Sequence, residues 1–168
     1  LRSAGGRGEQ LSGSTRTLLA ITQDIITAGR RTYLKAPVGD LVSFDEVYGN
    51  LEGSEVNPDV RKELNRITER VSGANDLTRR VAEVLYLIRE IGYIPKSPQN
   101  LARLLVERTD GDVAAIVRKI TPELEKLQKA KIVARIGNDY EFLTKEGRNF
   151  EEEVIEAMSS LRWQDVLK

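Results

Sequence analysis

The sequence feature that most constrains the fold is a succession of three helical patterns after Asn75. Apolar residues recur at helical spacing in each pattern, and the patterns end at Gly92, near Gly111 and near Leu127. Pro122 falls inside the third pattern. Because proline lacks an amide proton and clashes with the preceding turn, we expect a kink there or a new helix capped by Thr121.

Two short runs of β-type residues come next, at residues 132–136 and 140–143. The turn residues 137–139 between them predict a hairpin. Thr144 then predicts the cap of a final helix that continues to Met158.

Three helices, a hairpin and a closing helix resemble the winged helix-turn-helix family. The stretch at residues 124–148 carries this resemblance closely, including the sequence LTKEGR at residues 143–148. The resemblance implies a fold but no single function, because winged helices serve as DNA readers, as protein-docking modules and as appendages of ATPases.

The residues before Asn75 predict helices and connectors. A wide apolar stripe predicts an amphipathic helix over residues 15–34. The Ser43 to Glu46 spacing is typical of a capping box and predicts a short helix through Tyr48. Asn57-Pro58 predicts the start of another helix.

The predicted fold is therefore mainly α with a small β wing, a helical subdomain followed by a winged helix-turn-helix. Residues 1–13 contain four glycines and predict a flexible arm. Residues 14–73 predict a helical, lid-like subdomain. Residues 75–168 predict the winged-helix domain with its C-terminal helix.

Composition excludes several kinds of chemistry. The chain has neither His nor Cys, so Cys/His zinc sites, disulfides, Ser-His-Asp triads and Cys nucleophiles are impossible. We find no convergent acid–base pair, and we expect neither a catalytic residue nor a metal site. No apolar run approaches the roughly 20 residues of a membrane span, which predicts a cytoplasmic protein without a membrane partner. The chain begins with Leu1 and its one Met is Met158, so we expect it to be part of a longer protein.

A helical region followed by a winged helix is similar to the region after the nucleotide-binding core of AAA-type ATPases. Three segments more narrowly resemble the large P-loop ATPases of bacterial phage-defence systems of the BREX type: SGSTRTLL at residues 12–19, VSFDEVY at 42–48 and LYLIREIGYIP at 85–95. The resemblance implies a non-catalytic, C-terminal part of such an ATPase that couples nucleotide state to the binding of a partner or DNA.

In that setting the parent protein would bind ATP, and the partners would be other parts of the ATPase or other defence proteins, with oligomers possible. The alternatives are a stand-alone winged-helix transcriptional regulator that binds DNA and a protein-docking scaffold.

The candidate phosphate contact is Arg16. Residues 8–15 have the outer spacing of the phosphate loop GxxxxGK(S/T), but Ser14 stands where the motif needs Lys, so we interpret the match as coincidence. Arg16 lies at the start of the predicted first helix, where free amides and the dipole favour an anion. The ATPase resemblance implies a sensor of the γ-phosphate for an arginine in this place, and the alternative is a solvated side chain.

The candidate nucleic-acid contacts are basic residues of the third helix and the wing: Arg118, Lys119, Lys126 and Arg135. The chain as a whole is neutral, with 26 basic and 26 acidic residues. Its basic surplus lies in residues 1–36, and residues 37–74 carry the matching acidic surplus. We expect Glu123 and Glu125 on the outer face of the third helix to repel a DNA backbone. The sequence therefore predicts weak, salt-dependent binding of double-stranded DNA and leaves protein docking as an alternative.

Overall fold

The computed structural model describes residues 5–28, 33–51 and 56–144, together with the helical positions Gly147, Asn149, Glu153, Val154 and Ala157. The described part is mainly helical and contains one two-stranded antiparallel sheet, which confirms the coarse fold class. Its elements are α1 (Gly5–Ala28), a 3₁₀ turn (Tyr33–Lys35), α2 (Asp45–Gly49), α3 (Pro58–Asn65), α4 (Ile67–Arg70), α5 (Asp76–Ile88), α6 (Pro98–Leu104), α7 (Val113–Lys129), β1 (Val133–Ile136) and β2 (Asp139–Phe142).

Helix α5 lies at the centre of a single hydrophobic core. Its Val81, Val84, Leu85 and Ile88 are inaccessible to solvent. The surrounding elements supply Leu64 and Ile67, Leu101, Ile120, Leu124 and Leu127, and Phe142. Helices from both sides of Gly73 therefore bury their apolar faces in the same core, with α5 as the shared surface.

Side chains cap the starts of four of the described helices, among them α3, α5 and α6. The Asn57 side chain accepts a hydrogen bond from the amide of Asp59, and the Ser97 side chain accepts one from the amide of Asn100. The helix start predicted at Asn57-Pro58 is confirmed. Asn75 and Thr78 form a reciprocal capping box at the start of α5.

Helix α1 begins earlier than the sequence predicts. It starts at Gly5, so residues 5–13 are helical, where the sequence predicts an arm outside the first helix. Each glycine costs about 1 kcal/mol relative to alanine in a helix. That cost does not stop the helix here, because extending an existing helix adds one hydrogen bond per residue and needs no new nucleus.

The predicted capping box at Ser43 is absent. Helix α2 forms as predicted, but Phe44 occupies its N-cap position and no side chain caps it. The Ser43 hydroxyl instead accepts a hydrogen bond from Nη2 of Arg80, at 3.3 Å. The Ser43 hydroxyl therefore bonds a side chain distant in sequence and not the backbone amides at the start of α2.

Helix α7 continues through Pro122 as one element, so of the two predicted alternatives, a kink or a new helix, the new helix is wrong. The Thr121 hydroxyl caps nothing. It donates to the carbonyl of Val117 one turn back, at 2.7 Å. The buried residues Ile120, Leu124 and Leu127 lie on both sides of Pro122, and their packing holds the helix together across it.

The predicted hairpin is confirmed, with Val133 opposite Phe142 and Ile136 opposite Asp139. The turn is therefore one residue shorter than predicted and consists of Gly137 and Asn138. Gly137 has a φ of 63°, which fits the first position of a type II′ turn. The amide of Tyr140 in β2 also donates to the carbonyl of Lys96, at 3.1 Å.

The cap at Thr144 is confirmed, because its hydroxyl accepts a hydrogen bond from the amide of Gly147. Phe150, Ile155 and Met158 of the predicted final helix lie outside the described residues. Among the helices that the structure describes, none combines the length and the apolar character needed to cross a bilayer.

Candidate nucleic-acid interface

Helix α7 has a buried face and an exposed face. Ile120, Leu124 and Leu127 are fully buried, whereas Ala114, Arg118, Lys119, Pro122 and Glu125 are exposed. Asp112 caps the helix by accepting a hydrogen bond from the amide of Ala115, at 3.0 Å. The first half of α7 therefore presents a small side chain and two cations to solvent.

Glu123 does not lie on the exposed face, and this corrects the prediction that it would repel a DNA backbone. Its side chain is buried and accepts hydrogen bonds from Thr78, from Asn75 at 3.4 Å and from Lys126 at 2.9 Å. Burial alone would raise the pKa of Glu123. The hydrogen bonds from Thr78 and Lys126 outweigh it, so this pKa is lowered and the carboxylate stays charged.

Lys126 is the partner of this buried carboxylate. Its ammonium lies 2.9 Å from both oxygens of Glu123, and its side chain is partly buried. Among the four predicted nucleic-acid contacts, Lys126 is the one whose charge is paired with a buried carboxylate of the protein.

Arg118 and Lys119 lie side by side on the exposed face of α7. The Arg118 side chain is 71 % exposed, and its guanidinium is 3.7 Å from the Asp112 carboxylate. An ion pair of this length in water contributes little, so the guanidinium can exchange Asp112 for another anion. Lys119 also borders the groove described below.

Arg135 lies on the hairpin that follows α7. Its Nε donates to the carbonyl of Gly137 at 3.1 Å, and its guanidinium lies 5.9 Å from the centre of the Tyr140 ring. Ile136 beside it is 64 % exposed. The tip of the hairpin thus presents one cation and one apolar side chain to solvent.

Arg16 lies well inside α1 and is exposed to solvent. The free amides of this helix are near Gly5, so the prediction that Arg16 sits at a helix start is wrong. The physical reason is the early start of α1, which moves the positive end of the helix dipole away from this side chain.

A buried ion cluster joins three elements that the sequence does not connect. Nε of Arg80 in α5 is 2.7 Å from Oδ2 of Asp45 in α2, and its Nη2 is 2.7 Å from Oε1 of Glu107. Burial alone would lower the pKa of Arg80, but the hydrogen bonds and charges of Asp45 and Glu107 outweigh it and raise this pKa. Nothing in the local sequence signals this cluster, because the two partners are 35 and 27 positions from Arg80.

Glu107 belongs to the loop between α6 and α7, residues 105–112, which we call the connector. A groove of about 470 Å³ lies between the connector, α5 and the first turns of α7. Apolar side chains such as Leu77, Val106 and Ile116 line it, and Arg108 and Lys119 lie at its border. Within the described residues no group of acidic side chains has the geometry of a metal site.

Comparison with protein-family models and with solved structures assigns no function to the chain. No protein-family model matches the chain, and no solved structure matches it. The class of ligand must therefore follow from the chemistry of the exposed faces.

Proposed function

We propose that α5, α6, α7 and the hairpin form a winged helix-turn-helix that binds double-stranded DNA through the first half of α7. The observation that carries this proposal is the pairing of Arg118 and Lys119 on the exposed face while Glu123 faces the interior. The order of the elements supports it, since three helices precede the hairpin. The hydrogen bond from the amide of Tyr140 to the carbonyl of Lys96 also ties β2 to the loop before α6, which fits a hairpin packed beside the helices as in a wing.

The chemistry of the face fits a duplex. An α-helix enters the major groove, and cations on its exposed side neutralise phosphates. Ala114 leaves room for close approach, and Arg135 on the hairpin supplies a further cation. Two or three phosphate contacts imply a loss of affinity of roughly 10- to 50-fold between 50 and 200 mM salt.

The test is a titration of labelled duplex DNA with the full chain at several salt concentrations. We expect the double variant Arg118→Ala/Lys119→Ala to bind at least 10-fold more weakly at 50 mM salt. The slope of log affinity against log salt concentration should also be less steep, by about one unit for each cation removed.

The matched control is Lys62→Ala/Arg70→Ala, which removes two exposed cations from α3 and α4. It should bind nearly as tightly as the unchanged chain. No duplex binding at 50 mM salt, or an equal loss in both double variants, would overturn the proposal.

We further propose that this module belongs to a larger P-loop ATPase of phage defence, the setting that its resemblance implies. The packing of α3 and α4 against α5 in one core supports a helical region that acts together with a winged helix. The chain itself has no complete GxxxxGK(S/T) motif, which fits a non-catalytic role in which another part of the parent binds ATP. The gene upstream should encode a GxxxxGK(S/T) motif, and its absence would favour the stand-alone regulator.

A further inference from the structure

We infer that residues 39–45 are a positioning element, which holds the connector and thereby sets the orientation of α7 on DNA. We call these residues the strap. The inference rests on the proposed DNA binding and adds to it a control by the helical region. Three observations carry it: backbone pairing, ion pairs and the tight fold of the connector.

The strap pairs with the connector along the backbone. The amide of Leu41 donates to the carbonyl of Glu107 at 2.9 Å, and the amide of Thr109 donates to the carbonyl of Gly39 at 2.8 Å. The amide of Phe44 donates to the carbonyl of Leu104 at 2.8 Å, where α6 ends. Backbone hydrogen bonds from the strap therefore reach α6 and both sides of Arg108.

Ion pairs reinforce this pairing. Nη1 of Arg108 lies 2.8 Å from Oδ1 of Asp40 in the strap. Arg80 bonds Asp45 at the end of the strap and Glu107 in the connector with one guanidinium. Because Asp45 is also the first residue of α2, the strap links the connector directly to the helical region.

The connector transmits this restraint to α7 because it is tightly folded. The amide of Gly111 donates to the carbonyl of Arg108 at 3.0 Å. A Cβ atom on Gly111 would lie 2.7 Å from Cγ2 of Val106 and 3.0 Å from the same carbonyl. The next residue, Asp112, is the N-cap of α7. The residues between Arg108 and the first turn of α7 are too tightly packed to absorb a displacement of Arg108. Such a displacement is therefore passed on to α7.

The negative charges of Asp40 and Glu107 allow two explanations of their effect on DNA binding to be distinguished: positioning of α7 and the electrostatic field of the protein. Both side chains are negative, so removing either charge would strengthen DNA binding if the field of the protein were all that mattered. Removing them weakens binding if their contacts position α7. The two explanations predict opposite signs.

The experiment compares DNA binding by Asp40→Asn/Glu107→Gln with binding by the unchanged chain. We expect the double variant to bind 3- to 10-fold more weakly and with a lower salt dependence. The control Glu125→Gln removes a negative charge from the exposed face of α7 and should bind more tightly. The single variant Asp40→Asn removes one charge and keeps the shape of the side chain, and its partner Arg108 is 47 % exposed, so it should fold normally and weaken binding to a smaller extent.

Hydrogen exchange gives a second readout that does not depend on DNA. We expect faster exchange of the amides of Leu41, Thr109 and Ala115 in the double variant, with α5 unchanged. Equal or tighter DNA binding by the double variant would overturn the positioning role alone. Absence of duplex binding by the unchanged chain would overturn the proposed function. Unchanged hydrogen exchange at Ala115 in the double variant would overturn the coupling of the strap to α7, whether or not the chain binds DNA.

Discussion

The hydroxyl of Thr78 donates a hydrogen bond to Oε2 of Glu123, 45 positions later in the chain. Thr78 is at the same time half of the capping box that begins α5. Glu123 therefore ties the middle of α7 to the first turn of α5 through a buried carboxylate. The lowered pKa of Glu123 predicts that this contact stabilises the fold less in acid.

Glu123→Gln should lower the free energy of unfolding at pH 7 by about 1–3 kcal/mol, because hydrogen bonds to a buried charged group are lost. The pKa of Glu123 is lowered in the folded protein, so its charged form stabilises the fold above the unfolded pKa of about 4.3. This contribution is lost as pH falls through the lower folded pKa. Urea unfolding at pH 7 and pH 3 should therefore show a difference between variant and parent that shrinks with acid. A difference of the same size at both pH values would contradict this assignment.

Asp45 and Asp76 make the same kind of contact with arginine at very different depths. The Asp45 side chain is 0 % exposed and lies 2.7 Å from Arg80, whereas the Asp76 side chain is 61 % exposed and lies 2.8 Å from Arg79. Asp45→Ala should cost about 3–5 kcal/mol, since it leaves a largely buried guanidinium without its main partner. Asp76→Ala should cost about 1 kcal/mol or less. Chemical denaturation of both variants measures the two costs, and similar values would show that burial does not set the strength of the Arg80 cluster.

Pro122→Ala should raise the stability of the chain. Alanine restores the amide that can donate to the carbonyl of Arg118, and a proline inside a helix costs about 3 kcal/mol relative to alanine. The greater entropy of the unfolded alanine chain offsets up to about 1 kcal/mol. A net gain of about 2–3 kcal/mol is therefore expected in thermal or urea unfolding. A loss of stability would mean that packing around α7 has adapted to the proline ring.

Gly137→Ala should destabilise the hairpin by about 1 kcal/mol, because its φ of 63° is costly for a residue with a side chain. Space is not the cause, since a Cβ atom there would meet nothing within 4 Å. Gly92 is the matched control. A Cβ atom there is equally free, and its φ is not in the left-handed region. Gly92→Ala should be neutral or stabilising in the same unfolding measurement, and equal effects at both glycines would argue against backbone strain.

Local signals in the sequence predicted much of the fold. Asn57 and Ser97 cap helices where their side chains reach amides two or three residues away, and Gly137 makes the hairpin turn within its own neighbourhood. Such interactions involve few residues, so they can be inferred from spacing. The periodicity of apolar residues located α5 and α7 for the same reason.

The rest depends on partners distant in sequence. Ser43 has the spacing of a cap, but Arg80 binds its hydroxyl. Glu123 borders the apolar stripe of α7, and its inward orientation requires Thr78 and Lys126 together. The pairing of Leu41 with Glu107 joins two polar loops that have no pattern in common. The structure therefore differs from the predicted interface in two ways. Glu123 faces the interior, and backbone hydrogen bonds from the strap hold the connector.

The hydrogen bond from Tyr140 to Lys96 also affects how the small sheet meets other molecules. A hairpin of two strands is marginally stable by itself, and each of its edges offers unpaired amides and carbonyls to any extended chain. At β2 the Lys96 carbonyl occupies one of these amides, and the Lys96 ammonium pairs with Glu141 at 3.2 Å on the same strand. A foreign strand therefore meets an interrupted row of donors and a charged pair at this edge, which protects the sheet from edge-to-edge aggregation.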